Sequence, residues 1–353
     1  MMANMKIAVI SAGNGGQTMA AYLALKGYET ALYTHDPVKA GQLAGPFTLT
    51  GCLQGTATPG LVSTDIGAVI AGAPLVMVTT PAQNHPAIAA ALAPWLADGQ
   101  SVVLNPGRTM GTYAFTQALA QAGCRARIVV GETDTFMFTC RAPQPGRPML
   151  NGIKAVVAVA AHNPADTHGL VTLMQEPFPN VIAAPGVAHT GLSNVGMIFH
   201  PLPTLLNMAR IEQGQPYQHY LDGITPRIAD LLMKADGERL AVAAALGVTV
   251  PSAPQWLQMT YGVEGEGLYG LLQANKAYRG IMGPHDLSTR YIYEDVPTGC
   301  VPVSALGDRL GVETPMLDAV ITMADTLAGC DFMATGRGPA MVATAMADGF
   351  GTA

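Results

Sequence analysis

Lys6-Ile-Ala-Val-Ile-Ser-Ala-Gly-Asn-Gly-Gly16 decides how the rest of the chain is read. Lys6 to Ile10 is a short apolar run of the kind that forms a buried strand. Ser11, Ala12, Gly13, Asn14, Gly15 and Gly16 follow, and then an alanine-rich stretch from Gln17 to Lys26 that reads as a helix closed by Gly27. Strand, glycine turn and helix set backbone N–H groups and a helix N-terminus against a pyrophosphate. Glycine is needed because a side chain would hold the phosphates off the backbone. A second apolar strand, Thr30 to Tyr33, completes the start of a βαβ unit. The usual G-x-G-x-x-G pattern is met with one departure, Ser11 in place of the first glycine. The stretch predicts a dinucleotide site at Ser11, Gly13, Asn14, Gly15 and Gly16.

Outward from this turn, apolar runs at 5–10, 29–34, 74–80, 100–105 and 127–131 alternate with helical stretches at 15–26, 84–97 and 110–122. Such alternation predicts an α/β fold, a Rossmann-type doubly wound parallel sheet with helices on both faces. Residues 45–63 read as a small antiparallel excursion, and 149–160 and 180–183 as edge strands around a helix at 165–175. Beyond residue 187 the strand patterns stop. Helical stretches at 203–212, 223–246, 252–261, 265–274, 302–310 and 315–328 predict an all-helical C-terminal domain, with residues 1–186 as the dinucleotide-binding domain and 187–353 as the substrate domain.

Ligands collect at the carboxyl edge of such a sheet. The loops Thr80-Pro81, Asn105-Pro-Gly107 and Gly131-Glu-Thr133 are therefore expected beside the nicotinamide half of a cofactor. An acidic residue ending the second strand would select NAD by binding the ribose 2′-OH. That position holds Thr34, and His35 and Lys39 could attract a 2′-phosphate, so the expected cofactor is NAD(P)H with a lean to NADPH.

Composition narrows the class. The 353 residues suffice for two domains, and the formal net charge of -6 gives no reason to expect a nucleic-acid partner. No long uninterrupted apolar run suggests a membrane span, and the N-terminus carries no signal-peptide pattern. Cys52, Cys124, Cys140, Cys300 and Cys330 are scattered and form no C-x-x-C pair, so they read as reduced thiols of a cytoplasmic protein with no metal site.

Two stretches in the second half carry the chemistry: Asn194-Val-Gly-Met-Ile-Phe-His200-Pro-Leu-Pro-Thr-Leu-Leu-Asn207 and Thr289-Arg-Tyr-Ile-Tyr-Glu-Asp295-Val-Pro-Thr-Gly299. With Gly131-Glu-Thr, Phe138-Thr-Cys-Arg141 and Tyr278-Arg-Gly280, the chain resembles the opine dehydrogenases, from Ile7 to about Asp331 and most closely the bacterial carboxyethyl-norvaline type. The resemblance implies reductive condensation of an amino acid or amine with a 2-oxo acid, commonly pyruvate. It also implies a catalytic His-Asp pair, carried over by motif to His200 and Asp295. Two departures are Ser11 for glycine and Thr34 where the norvaline-type enzymes have an acid.

The chemistry suits the residues. The amine must lose a proton and the carbonyl oxygen must gain one, and histidine does both near neutral pH. A carboxylate on its other ring nitrogen fixes the tautomer. Arg290, with Arg141 as second choice, is expected to grip a substrate carboxylate, and Asn194 and Thr190 to line the same cleft. The partners expected are small-molecule substrates, and the assembly a homodimer. The alternatives are a ketopantoate reductase or glycerol-3-phosphate dehydrogenase using a lysine such as Lys234 or Lys276, or a non-enzymatic NAD(P)-sensing regulator.

Overall fold

The computed structural model describes residues 5–351, which form two compact units. The first holds residues 5–107 and 111–187, and the second holds 108–110 together with 188 onward.

In the first unit, β1 (Lys6–Ile10), β2 (Glu29–Tyr33), β3 (Phe47–Gly51), β4 (Gly55–Ala57), β5 (Leu61–Ser63), β6 (Leu75–Val78), β7 (Ser101–Leu104), β8 (Val129–Thr133), β9 (Phe138–Gln144), β10 (Arg147–Ile153), β11 (Val157–Ala161) and β12 (Val181–Ala183) build two sheets. The larger runs β12-β11-β8-β7-β6-β1-β2-β5, parallel throughout except for the β8–β11 pair. The smaller runs β4-β3-β10-β9. Alternation along β1 shows how the large sheet is buried on both faces. Ile7 and Val9 pack with Met19 and Leu23 of the helix Asn14–Leu25 and with Leu170 and Met174 of Thr167–Gln175. Ala8 and Ile10 pack on the other face with Val69, Leu92 and Phe115 from Ile66–Ile70, His85–Leu92 and Gly111–Gln121.

Several expectations need correction. In the 45–63 excursion, β3 and β4 pair antiparallel, but β5 joins the large sheet parallel to β2. The single edge strand expected over 149–160 is two strands in different sheets. Residues 138–144, read without a strand, form β9 and turn back on β10 through Gly146 at φ 70. Gly131-Glu132-Thr133 is the end of β8 rather than a loop, and the Glu132 carboxylate is buried there and accepts from the Thr112 N–H at 2.9 Å.

In the second unit every described regular element is a helix, apart from one isolated bridge between Gln218 and Met282. Its longest helix, Pro226–Ala245, starts at a Thr225 cap and carries the buried pair Asp236–Arg239 at 2.6 Å. Each partner is further satisfied: Arg239 donates to the carbonyls of Leu192 and Pro251, and Asp236 accepts from the Ala253 N–H. A buried pair is tolerable only with such extra bonds. No described helix is long and apolar enough to cross a membrane.

The glycine turn makes three different demands. Ser11 holds φ 97, the conformation a glycine would adopt without strain. A Cβ on Gly16 would overlap the Ser11 carbonyl, and one on Gly15 would come 2.7 Å from the Phe136 ring. A Cβ on Gly13 would meet only Ser11 Oγ at 3.8 Å. Gly16→Ala is therefore expected to destabilise the first unit by about 3 kcal/mol through overpacking. Gly13→Ala is expected to be nearly neutral. Thermal unfolding of both variants checks this, and equal melting temperatures would contradict it.

Candidate active site

The glycine turn lies at the carboxyl end of β1, and Gly13 begins the helix Asn14–Leu25 with no side chain spent on its cap. Asn14 is occupied by structure, its Oδ1 accepting from the Ala142 N–H at 2.8 Å. At the ends of β6 and β7, Thr80 Oγ1 and Asn105 Nδ2 are buried without a hydrogen-bond partner. Unpaired buried groups of this kind call for a ligand or water. Pro81 follows Thr80, and Gly107 is glycine because a Cβ there would strike the Glu132 carboxylate. At the end of β2, Thr34 is buried and accepts from the Asp36 N–H at 3.3 Å. Asp36 caps the helix Pro37–Gln42, accepting from the Val38 and Lys39 N–H groups. His35 is exposed and Lys39 half-buried. Open space above Gly13, a free helix N-terminus and orphaned polar atoms at the next two strand ends fit a dinucleotide.

The second unit gathers a different constellation. His200 ends the short helix Gly196–Phe199 and precedes Pro201 at the start of Pro201–Leu206. Asp295 precedes the π-helical turn Val296–Cys300, where Pro297 supplies no N–H. Neither side chain caps its helix, so both remain available to each other. His200 Nδ1 lies 2.8 Å from Asp295 Oδ2, and Nε2 lies 2.9 Å from the Tyr220 hydroxyl. The Tyr291 ring stacks on His200 at 4.2 Å and 11°.

Asp295 has no exposed side-chain surface, and its Oδ1 makes no hydrogen bond of good geometry, resting on the Arg108 ion pair at 3.3 Å. Burial alone would raise its carboxyl, but Arg108 and then His200 hold it well below the usual carboxylate range. Burial lowers His200 from histidine's ordinary 6.5, against the pull of Asp295. Neighbouring His219 is pushed down to about 3 by burial and by His200, and its Nε2 lies 2.9 Å from the Phe199 carbonyl.

Arg108 organises the cluster. It bonds Asn194 Oδ1 at 3.0 Å and pairs with Glu294 at 3.4 Å as well as with Asp295. A Cβ on Gly196 would strike the Arg108 guanidinium and come 2.9 Å from Asp295 Oδ1, so glycine there lets the three groups meet. Glu294 also takes Arg290, at 3.1 Å. Arg290, expected to be free for substrate, is thus already paired, and it also lies over the Tyr291 ring, 5.1 Å from its centre. Its side chain is still 46% exposed, which leaves donors for a second carboxylate.

The remaining candidates are placed as follows. Asn194 is buried, with Nδ2 unpartnered. Thr190 is buried in the helix Val187–Leu192. Arg141 lies in the first unit on β9 and donates to the Cys140 carbonyl at 3.2 Å. Lys234 and Lys276, the alternative lysines, are both exposed. Arg108, Glu294, Tyr220 and Tyr291 were not singled out from sequence. Glu294 stands within a signature stretch and Arg108 within a strand-end loop, the two signals that could have marked them.

Residues 183–328 match the family described as "NAD/NADP octopine/nopaline dehydrogenase, alpha-helical domain". The chain is 41% identical over 340 residues to an opine dehydrogenase from Arthrobacter sp. (strain 1C), covering 96% of this chain and 94% of that protein. Among solved structures, octopine dehydrogenase with NADH and L-arginine superposes with a TM-score of 0.75 at 22% identity, covering 98% of each chain. NADP+-bound yersinopine dehydrogenase gives 0.67 at 15%, covering 92% of this chain and 91% of that one. These two likenesses are of fold. The identity over nearly the whole length carries more: the chain belongs to the opine dehydrogenase family, NAD(P)-dependent oxidoreductases acting on CH–NH bonds.

Proposed function

We propose that the enzyme joins the amine of an amino acid to a 2-oxo acid such as pyruvate, with His200 as general acid/base, Asp295 as its orienting partner and Arg290 as a carboxylate holder. The observation that carries this is the buried 2.8 Å contact of His200 Nδ1 with Asp295 in a member of this family. Ionised Asp295 accepts from Nδ1–H, which leaves Nε2 as the basic atom. His200 takes a proton from the amine as its nitrogen bonds the carbonyl carbon, and the imidazolium then protonates the carbonyl oxygen. The carbinolamine nitrogen then gives its remaining proton to His200, which passes it to the departing hydroxyl, and water leaves to give the imine. NAD(P)H, when bound, would supply the hydride to the imine carbon, with the nitrogen taking up a proton to give the secondary amine.

Arg290 keeps part of its fork for a substrate carboxylate, and Asn194 Nδ2 is a spare donor beside Asp295. The cofactor-holding residues in this reading are Ser11, Gly13, Asn14, Gly15 and Gly16 at the pyrophosphate. Thr34, His35 and Lys39 lie at the adenosine ribose, and Thr80, Pro81, Asn105 and Gly107 towards the nicotinamide. Asp36, the one acid near the end of β2, is committed to its helix cap, and His35 is exposed. That arrangement supports NADPH. The five free cysteines suit a reducing compartment such as the cytoplasm.

His200→Ala is expected to lose about 10²–10⁴-fold in kcat while still binding cofactor. Asp295→Asn falls sharply too, and the double variant is little worse than His200→Ala, because the pair acts as a unit. The assay is NADPH oxidation with pyruvate and an amino acid panel, with the secondary-amine product identified by mass; near-wild-type kcat for His200→Ala would refute the assignment. In the condensing direction the neutral imidazole is the active form, and burial depresses its pKa. Activity should therefore rise with pH through a limb below 6.5. Arg108 is one of the charges opposing the imidazolium, so Arg108→Met should move that limb to higher pH. A limb that stays put would contradict this. Dissociation constants should be at least as tight for NADPH as for NADH; a preference of more than about tenfold for NADH, about 1.4 kcal/mol, would count against the reading.

A further inference from the structure

We propose that Tyr220 relays the proton between substrate and His200 and so belongs to the catalytic machinery. The inference rests on the reading of His200 as general acid/base. The Tyr220 hydroxyl lies 2.9 Å from His200 Nε2, and the direction of that bond follows from the far side of the ring. Ionised Asp295 only accepts, so Nδ1 carries the hydrogen and Nε2 carries the lone pair. The phenol must therefore donate to Nε2. The basic atom of His200 is covered by a hydroxyl, and a substrate proton reaches it through the phenolic oxygen or by displacing the tyrosine.

The packing opposes displacement. The Tyr220 ring stacks on Tyr278 at 3.9 Å and 14°, and meets His219 edge-on at 4.9 Å and 89°. Its turn is pinned on both sides. The Gln218 N–H donates to the Asp222 carboxylate at 2.7 Å, and the Gly280 N–H donates to the Gln218 side chain at 2.8 Å. The Asn207 amide donates to the Gly223 carbonyl at 2.8 Å. Both Tyr220 and His200 nevertheless keep a small exposed edge, 7% and 8%.

The relay balances in both directions. As the amine N–H bond breaks, its proton bonds to the Tyr220 oxygen while the phenolic proton passes to Nε2. With the C–N bond formed, the products are the carbinolamine alkoxide, a neutral phenol and an imidazolium paired with Asp295, which returns that proton to the alkoxide by the same route. When the carbinolamine collapses, its remaining N–H proton recharges Nε2 by the same route, and Nε2–H returns that proton to the phenolic oxygen. The phenol's own proton goes to the departing hydroxyl, which leaves as water. The tyrosine ends each step as it began, and no phenolate is formed.

Tyr220→Phe in the full-length enzyme removes the hydroxyl and keeps the stack. The expected result is a fall in kcat of about 10²-fold, with cofactor affinity and the KM of the 2-oxo acid little changed. A second readout separates relay from packing. The dependence of kcat/KM on deuterium fraction should be curved in the wild type, where two protons move together, and linear in Tyr220→Phe. A variant with unchanged or higher kcat, or a linear wild-type dependence, would overturn the relay. His200→Ala, measured alongside, keeps the two claims apart. If it is inactive while Tyr220→Phe is fully active, the relay alone falls; if it is active, the general acid/base reading falls first.

Discussion

A carboxylate without exposed surface, Asp295, is the constraint around which the second unit is arranged. Removing an ion of that size from water costs several kcal/mol unless charges and donors replace the solvent. Arg108 supplies the counter-charge on one oxygen and His200 the hydrogen bond on the other. Much else follows from this. Gly196 must be glycine so that the guanidinium can approach, and Asn194 and Glu294 are needed to fix the rest of the fork. Glu294 in turn draws in Arg290, which leans over the ring that stacks on His200. The formal charges of Arg108, Arg290, Glu294 and Asp295 cancel, so the cluster can hold a neutral imidazole without leaving a net charge buried beside it.

The anchor of this cluster comes from the first half of the chain. Residues 108–110 leave the end of β7 and belong with the helical unit: the Thr109 N–H donates to the Thr298 carbonyl, Thr109 Oγ1 to Gly191, and Arg337 donates to the Thr109 carbonyl. Arg108 and Met110 hold φ of 63 and 58, conformations that cost energy for side-chain-bearing residues. The segment that follows β7 is thereby hydrogen-bonded to the π-helical turn that follows Asp295.

Much of the first unit was legible because strands buried on both faces must be near-continuous apolar runs, as β1, β6 and β7 are. β9 was not: Phe138-Thr-Cys-Arg-Ala-Pro-Gln144 mixes charge and proline, and its place is set by pairing with β10. Gly131-Glu-Thr looked like a loop because a buried glutamate is rare, yet Glu132 is supported by the Thr112 N–H. In the second half, sequence pointed to His200 and Asp295 as members of two signature stretches. Their meeting across 95 residues is a property of the fold. The partners of a buried charge lie at long range, so nothing near Arg108 announces Asp295 and nothing near Tyr220 announces His200.

If Asp295 orients His200 as proposed, the ring is the Nδ1–H tautomer, with the basic lone pair at Nε2. Long-range ¹⁵N–¹H correlation spectra of the uniformly labelled enzyme read this directly, with the His200 signal identified by its loss in His200→Gln. A protonated Nδ1 and a pyridine-like Nε2 are expected at neutral pH, with both nitrogens protonated only below histidine's ordinary 6.5. A neutral ring carrying its proton on Nε2, or one that titrates above that value, would contradict it.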